Sequence, residues 1–179
     1  MYTWVTRYFF FSNGLGYPPG SYAEYTVVQE DYLALKPKNL SMVEAAAIPL
    51  ALITAWEALV IRGDLKEGQS MLIHAGAGGV GHIAIQLAHY FDALVATTIS
   101  GTEKAEFVQS LGAELAIDYR QQDFVEAAMN WTDGLGVRLV VDMVGGETFC
   151  KSFAATRLYG RVVTLLSTAC GISHTNIAR

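Results

Sequence analysis

Cysteine is scarce in this chain: Cys150 and Cys170 are the only two among 179 residues. They form no CxxC, and no histidine stands beside them at ligand spacing. A disulfide scaffold and a structural zinc site are therefore not expected, and a reducing, cytoplasmic setting is. Charge is thin as well, at 16% of residues, with 12 Lys and Arg against 17 Asp and Glu for a net charge of −5. Without a basic excess there is no global footprint for nucleic acid or for an anionic membrane surface. Long uninterrupted apolar runs are also missing. The longest apolar region, Val43 to Ile61, is broken by Glu44, Pro49, Thr54 and Glu57, and reads as a buried helix with an interruption at Pro49 rather than a membrane span. The aromatic start "MYTWVTRYFFFSNG" is too short in apolar residues for a signal peptide and lacks a small-residue cleavage site. No internal repeat or low-complexity tract occurs. What is abundant is hydrophobic residues, at 52%, which excludes a disordered chain. The expectation is a soluble globular protein with one full core and part of another domain.

From Met71 onward, short β-rich runs alternate with helical patterns. "MLIHA" opens the series. After a glycine cluster, Val80, Ile83, Ala84, Leu87, Ala88 and Phe91 fall on one apolar helical stripe. "ALVATTI" follows, then a helix from about Thr102 to Leu111 that Gly112 stops. "ELAID" is a third strand. Asp123 and Glu126 open a helix over "FVEAAMNW" in a capping-box pattern. "RLVVDMV", a helix through "ETFCKSFAATR", and "RVVTLLS" complete five strands and four helices. The strands are nearly continuous apolar runs, as strands buried on both faces should be. This alternation predicts an α/β fold with a doubly wound parallel sheet. Before Met71 the pattern differs. "SYAEYTVV" and "DYLALKP" look like strands, and Ser41 with Glu44 makes a second capping box. About forty N-terminal residues are too few for a core of their own, so residues 1–40 are expected to be the remnant of another domain and residues 41–179 the α/β domain.

The glycine cluster lies in "LIHAGAGGVGHIAIQLA". Gly76, Gly78 and Gly81 fit G-x-G-x-x-G directly after a strand and at the opening of a helix. In that context the glycines allow a tight turn, close approach to a diphosphate, and close helix–strand packing. The diphosphate would lie on free amides at the helix N-terminus, where the helix dipole also favours negative charge. An NAD site usually carries Asp or Glu about 20 residues on, holding the ribose 2′-hydroxyl. Here the chain reads "TTISGTEKAE": hydroxyls and space, no carboxylate at the strand end, and Lys104 one turn into the next helix. A 2′-phosphate calls for a cation and hydroxyl donors, so NADPH is expected over NADH, with Glu103 beside Lys104 as the dissenting charge.

At "GSYAEYTVV", "AAAIPLALITAWEAL", "HAGAGGVGHIAIQLA", "KAEFVQSLGAELAIDYR" and "VDMVGGETF", the chain resembles the medium-chain dehydrogenase/reductase superfamily. Within it, the zinc-independent quinone oxidoreductases, the zeta-crystallin-like branch, are the most similar. The resemblance runs from about Gly20 to Ser167. It implies a Rossmann fold whose glycine motif falls on Gly76, Gly78, Gly79 and Gly81, with Val80 contacting the cofactor. It implies Lys104 and Tyr119 as partners of the 2′-phosphate, with Ser100 as a further donor. Thr54 matches a position close to the nicotinamide, Val144 and Gly145 match the loop below the cofactor, and Ser167 matches a contact at the carboxamide end. The family begins with a GroES-like domain, of which "SYAEYTVV" looks like a late strand, and its nucleotide domain ends with a sixth strand not found here.

The implied function is zinc-independent hydride transfer from NADPH to a quinone or conjugated carbonyl by an enzyme that positions both. No catalytic residue and no metal ligand is assigned. His74, His82, His89 and His174 gather no serine or carboxylate at a recognisable spacing; His74 is expected in the sheet packing, and Asp142 in a strand-end turn near the cofactor. Two other readings remain open at this point: a cofactor-binding module or redox sensor without turnover, and a fragment of a zinc-type alcohol dehydrogenase. The apolar "RVVTLLS" at a sheet edge predicts pairing with another chain, and family members commonly dimerise through this region, so a homodimer is expected.

Overall fold

The computed structural model describes residues 8–9 and 24–166. The chain divides into two compact units, Met1–Ile53 and Thr54–Arg179.

In the first unit, β1 (Tyr8–Phe9) pairs antiparallel with β2 (Ala34–Leu35), and a 3-10 turn occupies Glu30–Tyr32. The strand expected over "SYAEYTVV" is not formed among residues 24–28. Its composition suits a strand, but a strand needs a partner for its amides and carbonyls. The Lys36 ammonium donates to the carbonyls of Pro37 and Leu40. Helix α1 (Met42–Trp56) opens on the expected capping box. The Ser41 amide donates to Glu44 Oε2 at 2.8 Å, and the Glu44 amide donates to Ser41 Oγ at 3.2 Å. Hydrogen bonding from the Ser41 backbone amide, and next from the Ser41 side chain, holds the Glu44 carboxyl below its usual range. Pro49 lies inside α1 without ending it. Proline removes one ladder bond but its φ is helical, and the apolar residues on both sides favour continuation. A π-type segment, Glu57–Arg62, follows. Together, Met42–Arg62 is long and apolar enough to cross a membrane by length and composition.

The second unit holds a five-stranded parallel sheet: β3 (Ser70–Ile73), β4 (Leu94–Ile99), β5 (Leu115–Asp118), β6 (Val137–Asp142) and β7 (Thr156–Thr164), in spatial order β5-β4-β3-β6-β7. Helices α2 (Gly81–Tyr90), α3 (Thr102–Ser110), α4 (Phe124–Trp131) and α5 (Gly146–Ala155) connect the strands. This is the Rossmann-like fold expected from the alternation. Chain direction explains the two-sided core. Met71, Ile73, Val95, Leu139 and Val141 pack with Ala84, Ile85 and Ala88 of α2 and Val108 of α3, while Leu72, Ala96 and Val140 pack with Phe124 and Ala128 of α4 and Ala155 of α5. Successive strand residues point to opposite faces, so both faces must be apolar. Burying a side chain of this size is worth about 1.5–3 kcal/mol.

Two features were not expected. β7 begins directly after α5, and its pairing with β6 slips between Val137↔Thr156 and Leu139↔Arg161. The extra residues are taken up in a bulge where Tyr159 has φ 60°, and Arg138 holds the Tyr159 carbonyl at 2.6 Å. Cys150 lies half-buried on α5. Asp123 caps α4 as expected, accepting from the amides of Val125 and Glu126.

Candidate functional site

The sheet starts in its middle. β3 is laid down first, β4 and β5 extend one way, and the chain then returns to add β6 and β7 on the other side. The connections from β3 and β6 therefore leave in opposite directions, and the crevice between their C-terminal ends is where open α/β sheets bind ligands.

The glycine turn fills one side of that crevice. Gly76 is packed so closely that a Cβ there would overlap the Thr97 hydroxyl and meet Ile85 Cδ1 at 3.0 Å. A Cβ on Gly81 would overlap the Ala75 carbonyl and lie 2.7 Å from Gly76 Cα. Gly78 is under milder pressure, at 3.1 Å from Ala75 O, and a Cβ on Gly79 would meet nothing within 4 Å. Gly76 and Gly81 thus hold strand, turn and helix together, whereas Gly79 borders open space. Helix α2 has Val80 at its N-cap, no side-chain cap and no acidic residue in its first turn. Among the described residues, no backbone hydrogen bond takes up the amides of Gly79, Val80 and Gly81. Uncapped amides beside open space, with no nearby carboxylate on the helix, fit a diphosphate.

Ala75 sets the shape of this turn. It is left-handed at φ 55°, which costs an alanine on the order of 1–2 kcal/mol. Thr98 at the end of β4 holds it there: the Ala75 amide donates to Thr98 Oγ1 at 3.0 Å and the Gly76 amide to the Thr98 carbonyl at 3.1 Å. The Ala75 carbonyl then accepts from the Gly78 amide at 2.9 Å.

The end of β4 supplies the other side. Lys104 Nζ lies 3.4 Å from Ser100 Oγ, both solvent-accessible. Gly101, at φ 85°, turns the chain into α3, and its amide donates to Asp118 Oδ2 at 3.1 Å. Asp118 ends β5, and its other oxygen accepts from the Arg120 amide. The sequence showed no acid at the end of β4; the neighbouring strand brings one in, with both oxygens engaged by amides. The Tyr119 amide donates to the Ile99 carbonyl, its ring is exposed, and the Arg120 guanidinium lies 6.0 Å from the ring centroid. Lys104, Ser100 and Tyr119 are thereby anchored around the adjacent ends of β4 and β5.

Asp142 organises the end of β6. Its Oδ1 accepts from the amides of Val144 at 2.7 Å and Gly145 at 3.0 Å, fixing the loop before α5. Its Oδ2 is buried without a hydrogen-bond partner. A cleft of about 440 Å³ opens between these ends, lined among others by His74, Thr98, Tyr119, Phe124, Val144 and Lys151. Thr98, Tyr119 and Val144 thus face one space. Thr54 stands half-buried in the last turn of α1, and Ser167 lies outside the described residues.

His74, at the end of β3, is 1% exposed. Its Nδ1 is 3.2 Å from Thr98 Oγ1 and its Nε2 is 3.0 Å from Ser152 Oγ. Burial lowers its pKa to about 4, against the opposing pull of the Asp142 charge, so the ring is neutral near pH 7. Sequence reasoning placed His74 in the packing but missed its partners.

The family model described as zinc-binding dehydrogenase matches residues 79–171, just over half of the chain. The chain belongs to the zinc-binding dehydrogenase family. Among its relatives is the 2-methylene-furan-3-one reductase of Solanum lycopersicum, 55% identical over 148 residues, covering 82% of this chain and 36% of the relative. The NADPH-dependent alkenal/one oxidoreductase, chloroplastic, of Arabidopsis thaliana is 52% identical over 105 residues, 58% of this chain and 27% of the relative. The structure of the quinone oxidoreductase from Coxiella burnetii aligns with a TM-score of 0.73 at 40% identity, covering 80% of this chain and 43% of that one. This family member therefore spans less than half the length of these relatives. The match bears out the medium-chain dehydrogenase/reductase assignment made from the motifs.

Proposed function

We propose that this chain forms the cofactor-binding part of an NADPH-dependent oxidoreductase that reduces a quinone or a conjugated carbonyl without zinc. The observation carrying the proposal is the uncapped N-terminus of α2 beside the open face of Gly79, joined across the crevice by the Lys104–Ser100 pair. The amides of Gly79, Val80 and Gly81 would hold the diphosphate, Lys104 and Ser100 with Tyr119 the 2′-phosphate, and Val144, Gly145, Thr54 and Ser167 the nicotinamide half. When bound, NADPH supplies a hydride to the acceptor. The protein's part is to orient and to exclude water. Asp142 keeps the Val144–Gly145 loop in one conformation, so the floor of the cleft is set before any ligand arrives.

Two features support the finer points. The relatives named for alkenal/one, furanone and quinone reduction favour an electron-poor double bond as acceptor. β7 carries an edge with exposed Leu158 and Tyr159, which favours a homodimer. Residues 1–40 are read as part of a GroES-like domain, residues 41–179 as the dinucleotide-binding domain, and the cytoplasm as the compartment. Stopped-flow mixing with NADPH and a simple quinone or enone tests the activity: cofactor oxidation within one turnover is expected. Tight NADPH binding with no oxidation by any such acceptor would instead establish a binding module.

A further inference from the structure

We propose that His74 is a positioning residue: its neutral imidazole, protonated on Nε2, completes a one-way hydrogen-bond relay that holds the Ala75–Gly78 turn in its phosphate-receiving shape. This inference rests on the dinucleotide reading of the glycine turn.

The direction of the relay follows from counting protons. Ser152 Oγ has one hydrogen, and donates it to the Thr148 carbonyl at 2.7 Å. Towards His74 it can then only accept, so Nε2 carries the proton across the 3.0 Å contact. A neutral ring protonated on Nε2 has a bare Nδ1, which accepts the Thr98 hydroxyl at 3.2 Å. With its hydrogen committed to Nδ1, Thr98 Oγ1 presents a lone pair to the Ala75 amide at 3.0 Å. The chain runs from the Ala75 amide through Thr98, His74 and Ser152 to the Thr148 carbonyl, with no donor left over. It ties the glycine turn and β4 to α5, three elements that border the cleft.

Neither the opposite tautomer nor the imidazolium would fit. A proton on Nδ1 would turn the Thr98 hydrogen loose in a buried site and leave a bare Nε2 facing Ser152 Oγ, whose hydrogen is committed to the Thr148 carbonyl. The surroundings oppose a charged ring too: Phe124 of α4 meets it edge-on at 4.7 Å, and burial outweighs the attraction of Asp142 on β6. Without the relay, the Thr98 hydroxyl can rotate, the left-handed Ala75 loses its restraint, and the carbonyl that holds the Gly78 amide shifts. The free amides of Gly79, Val80 and Gly81 follow directly in the chain.

The test combines wild type, His74→Phe and His74→Gln. Phenylalanine keeps a ring against Phe124 and removes both hydrogen bonds; glutamine can accept from Thr98 and donate to Ser152. Nitrogen-15 NMR of the wild-type ring at neutral pH should show a neutral imidazole with its proton on Nε2. Hydrogen exchange at the Ala75 amide should be at least about tenfold faster in His74→Phe, and its affinity for NADPH and NADH should fall alike by about tenfold, with His74→Gln recovering most of both. In steady-state assays the loss should appear in the cofactor KM, with kcat retained. A proton on Nδ1, an imidazolium, or a folded His74→Phe with wild-type Ala75 exchange and wild-type affinities would overturn the proposal. Should wild type bind neither nucleotide, the dinucleotide reading fails, while the tautomer and the Ala75 exchange rate still decide the relay. Should His74→Phe not fold, the wild-type tautomer and His74→Gln decide it.

Discussion

The two sides of the crevice are built on different principles. After β3 the turn is shaped by atoms with nowhere to go: Gly76 against Thr97, Gly81 against the Ala75 carbonyl, Ala75 held left-handed by Thr98. At the end of β4 the working groups are side chains in solvent, Lys104 and Ser100 meeting at 3.4 Å and Tyr119 lying exposed. The first arrangement fixes, by steric exclusion, where the backbone would meet the proposed diphosphate. The second adds the charge that, in the proposed function, would distinguish one nucleotide from another, and leaves the fold alone. Substitutions on the β3 side should therefore be read in stability, and those on the β4 side in selectivity.

The largest effect should come from the packed glycines. In Gly81→Ala the new methyl would meet the backbone of Ala75 and Gly76, which has no rotamer to change, and overpacking of this kind costs roughly 3 kcal/mol. Gly76→Ala should do similar damage, because the Thr97 hydroxyl it would displace donates to the Ile73 carbonyl at 2.7 Å. Denaturant unfolding of both variants checks this; a loss confined to cofactor binding would show that the turn is less rigid than its packing implies.

Next in size is a dependence on pH from His74. In the folded chain the ring takes a proton only near pH 4, whereas its ordinary value is 6.5. Between those values the unfolded chain binds more protons, so stability should rise with pH. The contribution, on the order of 3 kcal/mol, is fully present above about 6.5 and is lost as pH falls towards 4. His74→Gln should flatten that part of the profile. A wild-type curve flat from pH 7 to pH 4 would count against a neutral buried ring.

The contrast between the two sides also explains what could be read from sequence. Strand–helix alternation was legible because β3, β4 and β6 bury residues on both faces, so nearly every position is apolar. The glycine turn was legible because steric exclusion leaves only glycine at Gly76 and Gly81. The His74 relay was not: its partners Thr98 and Ser152 stand 24 and 78 residues away, and neither threonine nor serine announces a long-range partner. Asp118 was missed for the same reason, since it reaches Gly101 only through the pairing of β4 with β5. Over residues 24–28 the expected N-terminal strand is not formed: composition shows what suits a strand, not what would pair with it.

On the β4 side, Lys104→Ala should leave stability nearly unchanged and weaken NADPH binding by about 10- to 150-fold, the equivalent of roughly 1.5–3 kcal/mol for a charge-assisted contact. NADH binding should barely move. Fluorescence titration with both nucleotides makes the comparison, and equal losses would refute the phosphate assignment.

The smallest expected change in affinity is also the most discriminating, because it makes the same substitution as the first with the opposite sign on stability. Gly79 lies between the two crowded glycines of the turn, yet a Cβ there meets nothing, and its φ lies outside the left-handed range. Gly79→Ala should therefore stabilise the chain slightly, by about 0.4–1 kcal/mol, because alanine has fewer unfolded conformations to lose. The open space it fills is the space proposed for the diphosphate, which both nucleotides share. NADPH and NADH should consequently lose affinity together, by about three- to tenfold. A variant with a raised melting temperature and equally weakened nucleotides would locate the diphosphate at Gly79. One that is stabilised with both affinities intact would move the ligand away from the α2 N-terminus, however well that terminus is shaped to receive it.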